Sequence, residues 1–287
     1  MNILHISDLH FGTRHWDGNN AMLLEKINSY PVDLVINTGD STSDALECEY
    51  RDAEKFLQGL ACKNLISIVG NHDKRNMHSH EYFKEFINQD ESIVPSSREL
   101  TTKKDLYLKR EITKINNHFT DLNYLKLVTV GGMTLLVVCI DSTVLYEDGG
   151  FVEEQILVTI SEKIKHLKFD KSIMLIHHSI LTMDAEPLRN SFHLMDFVRK
   201  NGIEDVFCGH THRFDLRRSE DLYLKSSFTQ YMVGSLTSSN LMGNDNQFLY
   251  LENWGTPDLQ IHLVKIIFIN GAMNFKEELI STVSHIS

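Results

Sequence analysis

The chain has 287 residues, 42% hydrophobic and 23% charged, which allows one large α/β domain or two small ones with a sizeable core. Its formal net charge of -11 excludes a global basic footprint for tracking nucleic-acid phosphates, although a local basic patch stays open. The four cysteines, Cys48, Cys62, Cys139 and Cys208, form no Cys-x-x-Cys pair, which argues against a zinc ribbon or redox motif.

In chain order, short apolar runs at 2–7, 32–37, 65–69, 134–140, 172–176 and 204–208 read as buried strands. Helical spacing lies between several of them. Leu23, Leu24 and Ile27 share a face before the second run, and Phe56, Leu57 and Leu60 before the third. Ile156, Ile160, Ile164 and Leu167 precede the fifth, and Phe192, Met195 and Val198 the sixth. Cys139 and Cys208 end apolar runs and are expected as buried thiols. The opening residues carry neither the basic nor the long apolar region of a signal peptide. No run reaches membrane-span length, so the expectation is a cytoplasmic protein without a membrane partner.

The part after residue 213 changes character. Stretches 228–234, 246–252 and 260–269 are β-prone and separated by turn formers such as Gly243-Asn244-Asp245-Asn246. Together these patterns predict a layered α/β domain over 1–270. It would have two mixed β-sheets packed face to face and flanked by helices, an irregular insertion or rim at 74–130, and a tail at 271–287.

Chemistry-bearing residues sit where the runs end. The first enters Ser7-Asp8-Leu9-His10-Phe11-Gly12 and the second Thr38-Gly39-Asp40. The third enters Gly70-Asn71-His72-Asp73, the fifth His177-His178, and the sixth Gly209-His210-Thr211-His212. Ligands in layered α/β folds gather at the carboxyl ends of strands, so five such ends describe one pocket. Residues two apart on an extended segment point the same way, so Asp8 with His10, and His210 with His212, are expected to face it. Imidazole, carboxylate and amide oxygen suit Mn, Fe or Zn, and a carboxylate such as Asp40 can bridge two ions. Adjacent strand residues face opposite sides, so one of His177 and His178 is expected to reach the metals.

This ordered set, Asp-x-His, Gly-Asp, Gly-Asn-His-Asp, His-His and Gly-His-Thr-His, resembles the calcineurin-like metallophosphoesterase family. The resemblance implies two divalent or trivalent metal ions, Mn, Fe or Zn. Asp8, His10 and His212 would hold the first, Asn71, His177 and His210 the second, and Asp40 would bridge them. It implies hydrolysis of a phosphate ester by a metal-activated hydroxide. His72 would contact the phosphate or protonate the leaving group, and Asp73 would orient His72 through a carboxylate–imidazole hydrogen bond. Asn71 and His72 would touch substrate, with Arg14, Arg75 and His178 as further candidates.

The Gly-Asp-x-x-Asp-Arg pattern of protein phosphatases is absent, since Ala45 follows Asp44. The Ser-Asp-Leu-His-Phe-Gly motif is more similar to the bacterial phosphodiesterase branch. A small-molecule phosphodiester is therefore the favoured substrate, with a nuclease acting on nucleic acid and a metal-binding scaffold as alternatives. His5, inside the first run, reads as a satisfied core residue. Arg213 is expected to point away from His212 on an extended chain. The segment 163–168 reads as the end of an ordinary core helix rather than an anion-binding surface.

Overall fold

A computed structural model of the chain describes residues 1–88, 106–108, 111–113, 122–182, 185–241 and 243–280. The first sheet is built from β1 (Ile3–Ile6), β2 (Leu34–Asn37), β3 (Leu65–Ser67), β12 (Asn246–Glu252), β13 (Gln260–Ile269) and β14 (Ala272–Ile280), in the order β14-β13-β12-β1-β2-β3. The second contains β6 (Tyr124–Val130), β7 (Met133–Ile140), β8 (Lys171–Ile176), β9 (Asp205–Cys208), β10 (Asp215–Asp221) and β11 (Ser226–Met232), in the order β10-β11-β9-β8-β7-β6. Both sheets are mixed. β1, β2 and β3 run parallel, as do β7, β8, β9 and β11, and antiparallel strands complete each sheet. A separate hairpin pairs β4 (Leu106–Leu108) with β5 (Glu111–Thr113).

The side-chain alternation of each strand explains the layering. Ile3, Leu34, Ile36 and Ile66 meet Leu135, Val137, Ile173, Leu175 and Phe207 between the sheets. The other face of the first sheet, with Leu4, Ile6 and Val35, packs on α1 (Asn20–Asn28) and α2 (Glu47–Gln58). The other face of the second, with Leu136, Val138, Met174 and Ile176, packs on α4 (Glu154–Ile164) and α5 (Ser191–Lys200). A short helix α3 (Ser79–Tyr82) follows the Gly-Asn-His-Asp turn. The expected sandwich of two mixed sheets between helices is therefore the observed fold. Cys139 and Cys208 are buried thiols, as expected. His5 is buried between the sheets with Nε2 3.0 Å from Thr38 Oγ1, while its Nδ1 has no hydrogen-bond partner among the described residues. No helix among the described residues is long and apolar enough to cross a membrane.

Three expectations need correction. The stretch after Asn270-Gly271 is not a tail: residues 272–280 pair along the whole of β13 as the edge strand β14. Its Lys276, Glu277 and Glu278 conceal the strand, because an edge with one wet face tolerates charge. Residues 124–130 are not insertion but β6, a sheet edge with Tyr124, Leu125 and Val128 buried. The remainder of the expected insertion falls largely on 89–105, 109–110 and 114–121, outside the described residues. On α5 the buried stripe is Leu194, Phe197 and Val198, whereas Phe192 is exposed, so the helix is rotated from the expected face.

Candidate metal centre

The carboxyl ends of β1, β2, β3, β8 and β9 lie together, and their loops are laced to one another. Asp8 N–H donates to Gly39 O at 2.9 Å, His10 N–H to Asp40 O at 3.0 Å, and Gly209 N–H to His177 O at 3.1 Å. The route to convergence differs from the expected one. Asp8, His10, Asp40, His210 and His212 all adopt left-handed backbone, with φ between 50° and 72°. None is glycine, and such a conformation costs roughly 1–3 kcal/mol per residue. Strain of this kind persists only where the surroundings over-determine it. Here Gly70 is part of that restraint: a Cβ on it would lie 2.1 Å from Asp40 Oδ1, so nothing larger fits beside the carboxylate.

Each central carboxylate splits its two oxygens. Asp40 Oδ1 accepts from His72 N–H at 2.7 Å, leaving Oδ2 3.7 Å from His10 Nε2 and 3.5 Å from His177 Nε2. Asp8 Oδ2 accepts from His210 N–H at 3.1 Å. Its Oδ1, buried and without a hydrogen bond, faces His212 Nε2 at 3.3 Å and His10 Nε2 at 3.7 Å. Those two imidazole nitrogens are 2.9 Å apart. Beyond Asp40, Asn71 Oδ1 sits 2.9 Å from His177 Nε2 and 3.0 Å from His210 Nδ1.

Backbone carbonyls set two of the rings. His177 Nδ1–H donates to Thr38 O at 2.7 Å and His212 Nδ1–H to Asn240 O at 2.7 Å, which turns each Nε2 inward. The seven expected ligands thus meet: Asp8, His10 and His212 lie close together, Asn71 lies against His177 and His210, and Asp8, Asp40 and His177 also bring ligand atoms within 4.8 Å of one another. The oxygen and imidazole donors, with an Asp8 oxygen that has no hydrogen bond among the described residues, fit a cation of the Mn, Fe or Zn type.

Electrostatics agree. Burial opposes ionisation of Asp8, yet the imidazoles of His10 and His212 outweigh it and hold the carboxyl well below its usual range. Burial also opposes charge on His177, but Asp40 and then Asp8 outweigh that and lift the imidazole to about 9. The same balance, through Asp8, raises His212. These carboxylates demand positive charge, and a cation bound among them would displace the imidazole protons.

The surrounding candidates divide. His72 is buried beside Asp40, with Nδ1–H donating to Ser43 O at 2.6 Å and Nε2 3.0 Å from Arg14 Nη1. Arginine has no acceptor, so in this arrangement His72 Nε2 carries the lone pair. Burial lowers this imidazole to about 4.

Asp73 does not orient His72. Its carboxylate instead accepts from Gly70 N–H at 3.0 Å, Ser41 N–H at 3.2 Å, and Thr42 N–H and Oγ1–H at 2.9 Å each, tying the Gly39-Asp40 loop to the Gly70-Asn71 turn. The tight 3₁₀ turn at His72–Lys74 aims adjacent side chains apart, which is why the expected pair does not form.

His178 does not reach the cleft either. It is buried, with Nδ1 2.8 Å from Ser142 Oγ and Nε2 2.8 Å from Asp148 O, so both ring nitrogens are occupied inside the protein. Arg75 pairs with Asp148. Arg14 does line the cleft, with Asp40, Asn71, His72, Asp148 and Arg213. Arg213 belongs there because His212 is left-handed rather than extended.

Several contributors had no signal in the sequence. Asn240 supplies only a carbonyl, and Ser235 and Thr237 only brace the β1 loop by donating to Asp8 O at 2.6 Å and Leu9 O at 2.7 Å. Asp148 sits in a Glu-Asp-Gly-Gly turn that reads as an ordinary loop.

The Gly-Asn-His-Asp turn is anchored by Lys74, whose buried ammonium meets the buried Asp141 at the end of β7. Asp141 also accepts from Leu122 N–H and from Thr143. Lys74→Met would leave that carboxylate buried and unpaired, so a loss of about 3–5 kcal/mol is expected in urea unfolding. Adding Asp141→Asn should recover part of it. An unfolding midpoint unchanged in the single variant would remove Lys74 as an anchor.

The sequence profile of the calcineurin-like phosphoesterases matches residues 1–214. A probable cyclic nucleotide phosphodiesterase of Coxiella burnetii is 20% identical over 271 residues, covering 88% of this chain and 94% of that protein. Among solved structures, GAP50, the anchor in the inner membrane complex of Plasmodium, shares the fold with a TM-score of 0.55 at 10% identity, covering 98% of this chain and 89% of that one. The purple acid phosphatase PPD1 of yellow lupin has a TM-score of 0.54 at 12% identity, covering 92% and 51% respectively. With the profile spanning most of the chain and the motif residues gathered at one end of the sandwich, the chain belongs to the calcineurin-like phosphoesterase family and is a hydrolase of phosphate esters.

Proposed function

We propose that the protein hydrolyses a small phosphodiester with the help of two cations, Mn, Fe or Zn, held by Asp8, His10 and His212 on one side and Asn71, His177 and His210 on the other. Asp40 is shared between the two. The observation that carries this reading is one buried carboxylate oxygen close to a member of each donor set, Asp40 Oδ2 lying 3.7 Å from His10 Nε2 and 3.5 Å from His177 Nε2. When bound, such a pair polarises the phosphoryl oxygens and lowers the pKa of water.

The chain's own groups do the rest. The cleft beside the donors measures about 400 Å³, a size suited to a small substrate. Arg14 and Arg213 bring positive charge to its lining, and arginine's fork matches phosphate oxygens. Asn71 gives one amide hydrogen to Asp148 and keeps a second for a phosphate oxygen. His72 Nε2 opens towards the same space beside Arg14. An arriving phosphate anion would draw the Arg14 guanidinium off Nε2 and favour the protonated imidazole, which can then donate to the leaving oxygen. The similarity to a probable cyclic nucleotide phosphodiesterase supports a diester, and the acidic charge of the chain weighs against long nucleic acids.

A chelator is expected to abolish turnover, and Mn, Fe or Zn to restore it. The assay should span phosphomonoesters, an activated diester, cyclic nucleotides, glycerophosphodiesters and single- and double-stranded DNA. Undiminished activity in metal-free protein would end the two-cation reading. A preference for DNA that weakens steeply with salt would replace the small diester with a nucleic acid.

A further inference from the structure

We infer that Asp148 is a positioning residue for the second metal position, because its carboxylate fixes which end of the Asn71 amide faces the metal donors. Asn71 Nδ2 donates to Asp148 Oδ1 at 2.9 Å, while Asn71 Oδ1 lies 2.9 Å from His177 Nε2 and 3.0 Å from His210 Nδ1. The two ends of a primary amide have nearly the same shape, so packing alone does not choose between them. A carboxylate accepts and never donates when ionised, so it selects the NH2 end. The oxygen is thereby turned towards the imidazoles. The reversed amide would offer N–H groups to a cation, which repels them.

Asp148 is itself held in place. Arg75 pairs with the same carboxylate oxygen. Its backbone carbonyl accepts from His178 Nε2–H at 2.8 Å, and His178 Nδ1 accepts in turn from Ser142 Oγ–H at 2.8 Å. Phe151 N–H closes the loop onto Ser142 O at 2.9 Å. Gly150 lies against the His178 ring so closely that a Cβ there would come within 2.8 Å of Cγ. The buried His178 therefore works as a post under the 142–151 loop, which accounts for a second histidine next to the ligand His177. Groups that orient a metal ligand typically change metal affinity about 10–100-fold when removed.

This inference rests on the two-cation reading above, and the test separates the two. Metal-depleted protein would be titrated with Mn2+ by calorimetry, the wild type being expected to take up two equivalents. In Asp148→Ala, one class of site should weaken about 10–100-fold while the other stays within about two-fold. Asp148→Asn keeps an acceptor oxygen and should restore most of the lost affinity. In an Asn71→Asp background the ligand has two equivalent oxygens, so adding Asp148→Ala should weaken neither class further. The inference is overturned if the wild type takes up two equivalents and Asp148→Ala binds both unchanged, weakens both equally, or is not rescued by asparagine. A wild type that takes up fewer than two equivalents would defeat the two-cation reading itself, and this inference with it.

Discussion

Asp40→Asn is expected to lower turnover by more than about 1,000-fold and to leave less than one equivalent of metal on the purified protein, because a single carboxylate serves both donor sets. The substitution is nearly isosteric. An asparagine oxygen can still accept from His72 N–H, which now reaches Asp40 Oδ1 at 2.7 Å, so the turn carrying Asn71 and His72 should hold. What is lost is the charge between His10 and His177 and one oxygen facing them. Those imidazoles then have Asp8 as the remaining carboxylate of the donor sets. Elemental analysis and steady-state rates, with an unfolding curve as control, decide the matter. Two full equivalents of metal on a folded Asp40→Asn protein would show that the two sets are not joined through this residue.

The second large effect is expected from His72→Ala, with the opposite signature in metal content. Its ring stands outside both proposed trios of donors, although it lies 4.7 Å from the His10 ring, centroid to centroid, and a ring nitrogen is within 4.8 Å of ligand atoms of His10 and Asp40. Its Nδ1 donates to Ser43 O, and its Nε2, which accepts from Arg14 here, faces the cleft. Metal content should therefore stay at the wild-type level while kcat falls about 100- to 10,000-fold, the usual range for loss of a general acid. The loss should shrink for an ester with a strongly acidic leaving group, since such an oxygen departs without a proton. An equal loss for good and poor leaving groups would mean that His72 holds the phosphate rather than supplying the proton. Unchanged turnover would remove it from the reaction altogether.

Much of the site was legible because its chemistry is concentrated in short segments at strand ends. Apolar runs of four to eight residues mark the strands, and the Asp, His and Asn that follow them are costly to gather without a purpose. That basis points to the five strand-end segments, and the resemblance to the calcineurin-like metallophosphoesterases picks Asp8, His10, Asp40, Asn71, His177, His210 and His212 out of them. Alternation along an extended chain does not describe Asp8–His10 or His210–His212, since all four residues have positive φ. The β10 and β14 strands were missed for a related reason. Both are charged sheet edges, Arg217-Arg218 in one and Lys276-Glu277-Glu278 in the other, and edge strands need little apolar alternation.

The amino-acid order by itself determined the buried strands of the two sheets, the helices between them and the gathering of Asp, His and Asn at strand ends, because these follow from local periodicity and residue chemistry. The folded chain alone decided how each donor is aimed. Thr38 O and Asn240 O turn two imidazoles, Asp73 ties loops together instead of serving His72, His178 supports a loop, and Asp148 holds an amide. These are hydrogen bonds between groups that can be more than a hundred positions apart, such as His177 and Thr38. Backbone carbonyls carry no residue signature, and a carboxylate in a turn has the same letter whatever it faces. Orientation is set by loop geometry that only the packed sandwich imposes.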